Sequence, residues 1–295
     1  MSNSLFFVSG ITGQVGGATA RRLLEEGHMV RALVRDPSKS AAWSQRGVDV
    51  RQGDFNDPAS VASALEGVTG AFLMMPPTMT PSPGFPEAKA VIASFVEALR
   101  LSPPPRLALL SSIGSQQSSG LGLITSTHLM EGALNDLPFP TAFVRAGGFL
   151  ENSIGGLGTA AATGVYYSFY QPTDRALPMI ATVDIGAEIA RLLVSGWDGK
   201  KIVELGSPVS PDDLARAMAE ALGRPVKAQA IPREQWAATL ETFGMPPGAT
   251  GPYEEMLDGS NSGWIDFGVP GAEPVAGTTS AAQVFALAKK AQGGA

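Results

Sequence analysis

The sequence predicts an α/β fold: a doubly wound parallel sheet of the Rossmann type with a smaller C-terminal α+β lobe. First, an apolar strand over residues 5–9 leads into a glycine-rich turn and a helix over residues 18–26. Second, strand-then-helix units recur within about the first hundred residues, which is the pattern of parallel strands joined by right-handed crossovers. Third, 44% of the 295 residues are hydrophobic and 16% are charged, so the chain can bury a sizeable core.

The glycine-rich turn predicts a phosphate-binding site. Gly10, Gly13 and Gly16 follow the first strand with the spacing G-x-x-G-x-x-G, which differs from the G-x-G-x-x-G of the standard dinucleotide fingerprint. Glycines let the backbone turn sharply and approach an anion, and the N-terminus of the following helix offers unpaired N–H groups. Since glycines at this density also occur in flexible loops, the turn alone leaves both interpretations open.

The residue after the second strand, residues 28–34, indicates which dinucleotide is bound. Arg35 stands 19 residues after Gly16, where a dinucleotide fold places an acidic residue for a ribose 2′-hydroxyl or a basic one for a 2′-phosphate. Arg35 therefore favours NADP(H), and Lys39 adds a second positive charge. Because the acidic Asp36 stands beside Arg35, NAD(H) is an alternative cofactor. A second alternative is that Arg35 and Lys39 are solvated charges in a turn and bind no ligand.

A third strand is predicted over residues 48–52, and Asp54 follows it at the edge where open α/β sheets bind ligands. The Asp54 carboxylate either accepts a hydrogen bond from an adenine amino group or caps the next turn. Asp57 and Pro58 are suited to begin a helix that runs to residue 65.

The fourth strand is the continuous apolar run over residues 70–75, which is typical of a strand covered on both faces and which Pro76 ends. Apolar residues at helical spacing then predict a helix over residues 88–100. A fifth strand over residues 106–110 ends at Ser111 and Ser112.

The composition excludes several classes of function. A net charge of −6 and a pI near 5.0 argue against nucleic acid or an anionic membrane surface as a partner. The chain has no cysteine, which excludes disulfides and thiolate chemistry, and its two separated histidines do not make a metal site. No run reaches the ~18 apolar residues of a membrane span, and no signal peptide precedes the first strand. A soluble cytoplasmic protein is expected.

Together these motifs resemble the NmrA-like group of atypical short-chain dehydrogenase/reductase proteins, which includes NADPH-dependent quinone oxidoreductases. The resemblance covers about two thirds of the chain and is carried by residues 10–16, 33–37, 47–57, 144–145, 149–152 and 183–186. It implies that the pyrophosphate is lined by Gly10, Thr12, Gly13, Gln14, Val15 and Gly16, and that the 2′-phosphate meets Arg35 and Lys39. It also implies contacts of the adenine with Asp54 and Phe55, of the nicotinamide ribose with Met74, Met75 and Pro76, of the nicotinamide ring with Ser111 and Ser112, and of its far side with Phe149 and Asn152.

The proton donor of many reductases in the broader superfamily, a tyrosine with a lysine four residues later, is missing from this sequence. Counting back from Glu131, Thr127 and Leu123 stand where the lysine and the tyrosine are expected. His128 is the best remaining donor, since histidine titrates near neutral pH and this one lies on the helix predicted to border the nicotinamide. The alternatives are a structural histidine and, for Thr127, a hydroxyl that either orients a substrate or bonds its own backbone.

The chain is predicted to divide into a dinucleotide-binding domain, residues 1–152, and a substrate-side lobe, residues 153–295. Part of the lobe, about residues 183–205, is expected to pack back on the sheet. Three of the four tyrosines lie within residues 165–170, either as a flat aromatic substrate pocket or as a strand with an aromatic core face. The lobe's predicted elements are helices over 184–193, 210–222 and 232–243, strands over 201–205 and 225–231, a loop over 244–252, and a frayed end over 293–295.

These features predict an NADP(H)-dependent oxidoreductase that passes hydride to a small aromatic or quinone-like acceptor without the tyrosine–lysine pair, because the cofactor carries the difficult chemistry. A non-catalytic NADP(H)-sensing regulator is the alternative, and a redox-neutral enzyme with a structural nucleotide ranks third. A homodimer is left open.

Overall fold

The computed structural model describes residues 4–293. Its strands are β1 (Leu5–Val8), β2 (Met29–Val34), β3 (Asp49–Gln52), β4 (Gly70–Met74), β5 (Leu107–Ser112), β6 (Thr141–Ala146), β7 (Gly148–Phe149), β8 (Val165–Ser168), β9 (Leu177–Ile180), β10 (Lys200–Leu205), β11 (Ser207–Val209), β12 (Lys227–Ala230) and β13 (Glu273–Val275). Its α-helices are α1 (Gln14–Glu25), α2 (Ala41–Ser44), α3 (Pro58–Leu65), α4 (Pro86–Leu101), α5 (Thr125–Leu134), α6 (Leu157–Thr163), α7 (Thr182–Ser195), α8 (Pro211–Leu222), α9 (Trp236–Thr242), α10 (Gly251–Ser262) and α11 (Ala281–Gly293).

Eight parallel strands form the central sheet, in the order β13-β10-β6-β5-β4-β1-β2-β3. The chain winds outwards from β1 to β2 and β3 on one side, then returns to β4 and continues through β5 and β6 on the other. The order of strands therefore reverses between β1 and β4. Crevices at such reversals, outside the carboxyl ends of the strands, are where open α/β sheets bind their ligands.

Helices cover both faces of this sheet. On one face, α1 and α7 pack against β1, β2 and β6, and Gly186 of α7 comes so close to α1 that an added Cβ would lie 2.5 Å from the Cβ of Ala18. On the other face, α3, α4 and α5 bury residues such as Phe95 and Met130 against β4 and β5. Because the strands are buried on both sides, they read as continuous apolar runs in the sequence.

Further apolar clusters lie beside the sheet. In the largest of them α8 and α11 pack together, with Met218 and Phe285 fully buried, and α8 also contacts β8 and β12. Two elements from this half join the first half directly: α7 packs along α1, and β10 pairs with β6. The Asp184 carboxylate in the first turn of α7 accepts hydrogen bonds from the backbone and side chains of Thr278 and Thr279, which anchors the segment before α11.

The structure confirms the predicted fold class. Several element ends differ from the prediction. The strand predicted to end at residue 110 continues through Ser111 and Ser112, because these residues pair with Arg145 and Ala146 of β6. The helix predicted over residues 232–243 begins as a 3₁₀ turn, Arg233–Gln235, and the predicted loop ends early because α10 starts at Gly251.

Of the three C-terminal residues predicted to fray, Gly293 is the last residue of α11, while Gly294 and Ala295 lie outside the described residues. Within residues 4–293, no helix combines the length and the apolar character that crossing a membrane requires.

Candidate active site

The carboxyl ends of the central strands meet at one edge of the sheet, and the predicted cofactor residues lie in the segments that leave it. Each segment follows a different strand, so residues far apart in sequence become neighbours around the reversal point. The placements are Gly10 to Gly16 after β1, Arg35 and Lys39 after β2, Asp54 and Phe55 after β3, Met74, Met75 and Pro76 at the end of β4, Ser111 and Ser112 at the end of β5, and Phe149 and Asn152 after β6.

Backbone geometry explains the glycines of the turn after β1. Gly10 has φ of +64°, a conformation that L side chains rarely adopt, and an added Cβ would lie 2.8 Å from Met74 Sδ. At Gly16 a Cβ would overlap the carbonyl oxygens of Ser9 and Gly10, so only glycine lets the helix start against the strand. The turn is closed by the Gly13 N–H, which donates to the Gly10 carbonyl at 2.8 Å.

The N-terminus of α1 is open toward this edge. Gly13 occupies the N-cap position in extended conformation and supplies no side-chain cap, and the first turn contains no acidic residue. The N–H groups of Gln14, Val15 and Gly16 consequently have no intrahelical acceptor. Such a helix end, with its partial positive charge, is suited to a pyrophosphate.

The segment after β2 presents positive charge to solvent. Arg35 and Lys39 are exposed, and neither forms an ion pair among residues 4–293. The Asp36 carboxylate instead accepts hydrogen bonds from the backbone and the hydroxyl of Ser38, at 3.0 and 2.6 Å, and these bonds lower its pKa. Asp36 therefore serves as the cap of the local 3₁₀ turn and forms no ion pair with either cation.

Asp54 and Phe55 are both engaged within the protein. Asp54 Oδ1 accepts hydrogen bonds from the backbone N–H and the side-chain amide of Asn56, at 2.9 and 3.1 Å, as the capping alternative predicted. The ring of Phe55 makes an edge contact with the ring of Phe95, at 5.8 Å between centroids. The contacts fix the orientation of both side chains at the adenine end of the predicted cleft.

The ends of β1 and β4 are joined across the reversal point. The Met74 N–H donates to the hydroxyl of the fully buried Ser9 at 2.9 Å. Met75 is half-buried and packs on the α3–α4 side of the sheet, whereas Pro76 is exposed. The three residues from Met74 to Pro76 thus line the edge next to the glycine turn.

A buried charged network lies under the end of β5, and it was missed as a functional unit at the sequence level. Arg145 of β6 donates to both carboxylate oxygens of Glu131 on α5, from Nε at 2.9 Å and from Nη2 at 2.6 Å. The Ser111 hydroxyl donates to the same carboxylate. Arg145 and Glu131 were visible only as single polar residues in apolar segments, since 14 positions separate them.

The predicted catalytic residues lie at the start of α5. His128 Nδ1 bonds the Ser115 carbonyl at 2.9 Å, and because a carbonyl only accepts, Nδ1 carries the proton and Nε2 is left for other partners. The Thr127 hydroxyl donates to the Ile124 carbonyl at 2.8 Å and meets the Ser115 hydroxyl at 2.8 Å. Thr127 is thus bonded to its own backbone, as the alternative predicted, and its hydroxyl supports the loop that orients His128.

The loop between β5 and α5 is fastened to the C-terminal half. Gln116 Nε2 donates to the Asp266 carbonyl at 2.8 Å, and Trp264 Nε1 donates to the Ser119 carbonyl at 2.8 Å. A Cβ at Gly122 would overlap the carbonyl of Pro252, so this loop and α10 touch backbone to backbone. Residues from 252 to 266 thereby hold the loop that carries the partner of His128.

The far side of the cleft is formed after β6. Phe149 is half-buried against the cluster under α1 and α7, and Asn152 is exposed. Between them, Glu151 Oε1 accepts hydrogen bonds from the backbone and hydroxyl of Thr182 at 2.9 and 2.7 Å, which caps α7. The segment is thus anchored at Glu151, with Phe149 and Asn152 on either side.

Two of the three clustered tyrosines, Tyr166 and Tyr170, belong to the apolar clusters, whereas Tyr167 is exposed. Tyr166 packs in the cluster under α8 and donates to the Ser153 hydroxyl at 3.2 Å, while Phe169 and Tyr170 pack with Trp236 and other residues of α9 and α10. Burial raises the pKa of both tyrosines. Of the two interpretations left open by the sequence, the packing matches the strand with an aromatic core face.

Comparisons with known proteins agree with this geometry. Residues 10–151 match the family model described as NAD(P)H-binding. This match covers 142 of the 295 residues, and it includes the strands and helices from α1 through β6. This NAD(P)H-binding segment contains the glycine turn, Arg35 and the His128 loop, and it confirms the predicted cofactor class.

Two relatives that align with more than four fifths of this chain are oxidoreductases. The chain is 26% identical to an NAD(P)H azoreductase of Xenophilus azovorans over 85% of this chain and 86% of the relative, and 25% identical to quinone oxidoreductase 2 of Escherichia coli over 88% of each. The fold matches a crystal structure of an NADPH-dependent quinone oxidoreductase from Escherichia coli, with a TM-score of 0.76, 25% identity and coverage of 96% and 98%. These relatives confirm the predicted enzyme class, an NAD(P)H-dependent oxidoreductase.

A regulator shares the same fold. The negative transcriptional regulator NmrA, in complex with NAD, matches with a TM-score of 0.71 at 18% identity over 100% of this chain and 92% of NmrA. At this identity the likeness concerns the fold, and it agrees with the NmrA-like resemblance of the sequence motifs.

Among the described residues, no group of three or more histidine, cysteine or acidic side chains is arranged to hold a metal ion.

Proposed function

We propose that this protein is an NADPH-dependent oxidoreductase that transfers hydride to a quinone-like or azo acceptor, with His128 in place of the tyrosine–lysine pair. One observation carries the proposal: the loop residue Ser115 holds His128 of α5 by its Nδ1, while Nε2 makes no hydrogen bond to residues 4–293, at the same sheet edge as the open N-terminus of α1. The azo and quinone classes come from the names of the relatives.

The residues around the edge fit a dinucleotide bound across the reversal point. The glycine turn provides three N–H groups for the pyrophosphate, and the exposed Arg35 and Lys39 provide cations for a 2′-phosphate. In this assignment Asp54 and Phe55 contact the adenine with the parts of their side chains that Asn56 and Phe95 leave uncovered. The nicotinamide ribose is contacted by Met74, Met75 and Pro76. Ser111, Ser112, Phe149 and Asn152 enclose the nicotinamide.

When bound, the reduced nicotinamide supplies a hydride, and the protein supplies position and a proton. His128 Nε2 takes up a proton from solvent and donates it to the acceptor oxygen or nitrogen that becomes negative after hydride transfer. The Nδ1–H bond to Ser115 fixes the orientation of the ring and leaves Nε2 for the acceptor. A quinone or an azo group is already electron-poor, so a single histidine is a sufficient acid.

The two halves take different parts in this proposal. Residues 1–152 hold the dinucleotide, and residues 153–295 complete the acceptor side, since Trp264 and Asp266 fasten the His128 loop. The homodimer stays a prediction, which light scattering of the purified protein tests.

The test is NADPH oxidation, followed at the nicotinamide absorbance, with a panel of quinones, azo dyes and simple ketones. We expect turnover with quinones or azo dyes and none with unactivated ketones. NADPH binding without oxidation of NADPH by any acceptor would overturn the enzyme assignment.

A second candidate, a dinucleotide-sensing regulator, is favoured by the missing tyrosine–lysine pair and by the NmrA fold match. A sensor must distinguish NADP⁺ from NADPH, or bind a partner differently with and without nucleotide. Equal affinity for both redox forms, together with unchanged partner capture, would exclude it.

A further inference from the structure

Two arginines lie against one tryptophan beside the glycine turn that follows β1. Trp43 is in α2, and the guanidinium carbon of Arg46 lies 5.3 Å from the centroid of its ring. The guanidinium carbon of Arg21, which belongs to α1, lies 6.0 Å from the same ring. The tryptophan is partly buried against the cluster under α1, so its ring is a fixed platform for both cations.

This platform adjoins the phosphate turn. Gly17 directly follows Gly16, and a Cβ at Gly17 would lie 3.3 Å from Arg21 Nη1 and 3.5 Å from Trp43 Cζ2. Side chains of a helix lean toward its N-terminus, so Arg21 reaches back along α1 toward the first turn. Both groups therefore lie over the backbone at Gly17, one residue after the last glycine of the turn.

The cations here are not neutralised by the protein. Within residues 4–293, none of Arg21, Arg35, Lys39 and Arg46 has a carboxylate oxygen at ion-pair distance. The neighbouring Arg22, by contrast, pairs with Glu26 at 2.7 Å. The chain as a whole carries a net charge of −6, yet these four cations lie around the glycine turn after β1. Their positive charge favours a ligand with a negatively charged group over one with a neutral ribose hydroxyl.

We propose that Trp43 is a specificity-determining residue for the cofactor. Its ring holds Arg21 and Arg46 as an outer pair of cations behind Arg35 and Lys39, and the four charges together select a dinucleotide with a 2′-phosphate over one with a free 2′-hydroxyl. The inference rests on the cofactor binding of the proposed function and is independent of the acceptor.

The physical basis is screened attraction to a charge that NADPH has and NADH lacks. Cations that stand within a Debye length of ~8 Å still attract a phosphate at physiological salt, although less than a direct contact does. Stacking on the ring keeps the long side chains from moving into solvent. A purely structural role of Trp43 would instead affect both dinucleotides alike.

The experiment is a fluorescence titration of NADPH and NADH against the full-length protein and its variants. The variants are the double replacement Arg21→Gln with Arg46→Gln, the single replacement Trp43→Leu, and the control Arg22→Gln. We expect the double variant and Trp43→Leu to raise the Kd of NADPH about fivefold to tenfold, which corresponds to roughly 1 to 1.4 kcal/mol. The Kd of NADH should stay within about twofold, since no 2′-phosphate is present to be attracted.

Further outcomes decide the proposal. The difference in the Kd of NADPH between wild type and the double variant should become smaller in high salt. The Kd values of Arg22→Gln should equal those of wild type. Equal weakening of NADPH and NADH, or an effect of Arg22→Gln as large as that of the double variant, would overturn the assignment.

Controls separate a folding defect from lost selectivity. Trp43→Phe keeps an aromatic ring and should keep most of the NADPH preference, which separates lost stacking from a misfolded α2. Wild type that binds neither dinucleotide would overturn both proposals. Binding without oxidation of NADPH would overturn only the enzyme assignment.

Discussion

Arg145 and Glu131 are joined by two charge-assisted hydrogen bonds, 2.9 and 2.6 Å long, that connect the end of β6 to the helix carrying His128. The Arg145 side chain is 5% exposed and that of Glu131 is 11% exposed, so water screens the pair little. Since the Ser111 hydroxyl also donates to Glu131, one carboxylate holds α5, β5 and β6 in register at the nicotinamide end of the predicted site.

Breaking this pair should be costly. Glu131→Gln leaves the Arg145 guanidinium buried without its counter-charge, and we expect a loss of ~3–5 kcal/mol in the free energy of unfolding, measured by urea denaturation. Glu97→Gln is the matched control, because Glu97 pairs with Arg100 on the surface at 2.8 Å and such pairs contribute up to ~1 kcal/mol. Equal losses in the two variants would contradict the special role of the buried pair.

The glycine turn should tolerate no side chain. Gly16→Ala places a Cβ on the carbonyl oxygens of Ser9 and Gly10, so the turn must open and NADPH affinity should fall more than ~tenfold. Gly158→Ala is the control, because a Cβ at that position of α6 meets nothing within 4 Å and alanine favours a helix by ~0.5–1 kcal/mol. Isothermal titration with NADPH, together with melting curves, separates lost binding from lost folding.

Replacing the proposed acid should slow the chemistry and spare the cofactor. His128→Gln removes the imidazole that passes a proton to the acceptor, and we expect kcat with a quinone to fall ~10²-fold or more while the Kd of NADPH changes little. The control is His28→Gln, because the ring of His28 packs edge-on against the buried Phe6, with 5.3 Å between the ring centroids. This replacement should lower the free energy of unfolding and leave the chemistry unchanged. Unchanged kcat in His128→Gln would remove histidine from the mechanism.

The buried tyrosine ring should limit stability in alkali. Burial raises the pKa of Tyr170, followed by the effect of the nearby Tyr253 and Tyr166, whereas a tyrosine in the unfolded chain ionises near pH ~10. Above that pH the unfolded state loses the proton first, so the free energy of unfolding should fall as pH rises. Tyr170→Phe should flatten this decline, as followed by circular dichroism from pH 8 to about 11. Tyr167→Phe, at a ring 45% exposed, is the control that should follow wild type.

The start of α8 offers a measurable capping effect. Ser210 Oγ accepts from the Asp213 N–H at 3.1 Å, and Asp213 accepts from the Ser210 N–H at 2.9 Å, which forms a capping box. Ser210→Ala should therefore cost ~1 kcal/mol of unfolding free energy in urea. Ser118→Ala, at an exposed position, should cost almost nothing. A difference of less than a few tenths of a kcal/mol between them would contradict the cap.

Local chemistry could be predicted from the sequence, and long-range pairing could not. The N-terminus of α3 at Asp57 and Pro58 and that of α8 at Ser210 depend on residues within one turn, and both were predicted. The extension of β5 through Ser111, by contrast, depends on pairing with Arg145, and the loop before His128 depends on residues 252–266. Asp54 caps the turn at its neighbour Asn56. This contact is local, but the sequence around Asp54 was equally consistent with a hydrogen bond to adenine, so it did not decide between the two roles.

The position of β13 has a consequence for synthesis on the ribosome. This strand, Glu273–Val275, lies beside β10 in the central sheet, so the outer side of β10 lacks this neighbour until residues 273–275 have been translated. An unpaired strand invites pairing with other chains, and lysines discourage it. Lys200 and Lys201 open β10, and Lys201 later pairs with Glu273 of the arriving strand. The same lysine can thus protect a nascent edge and then help to close it.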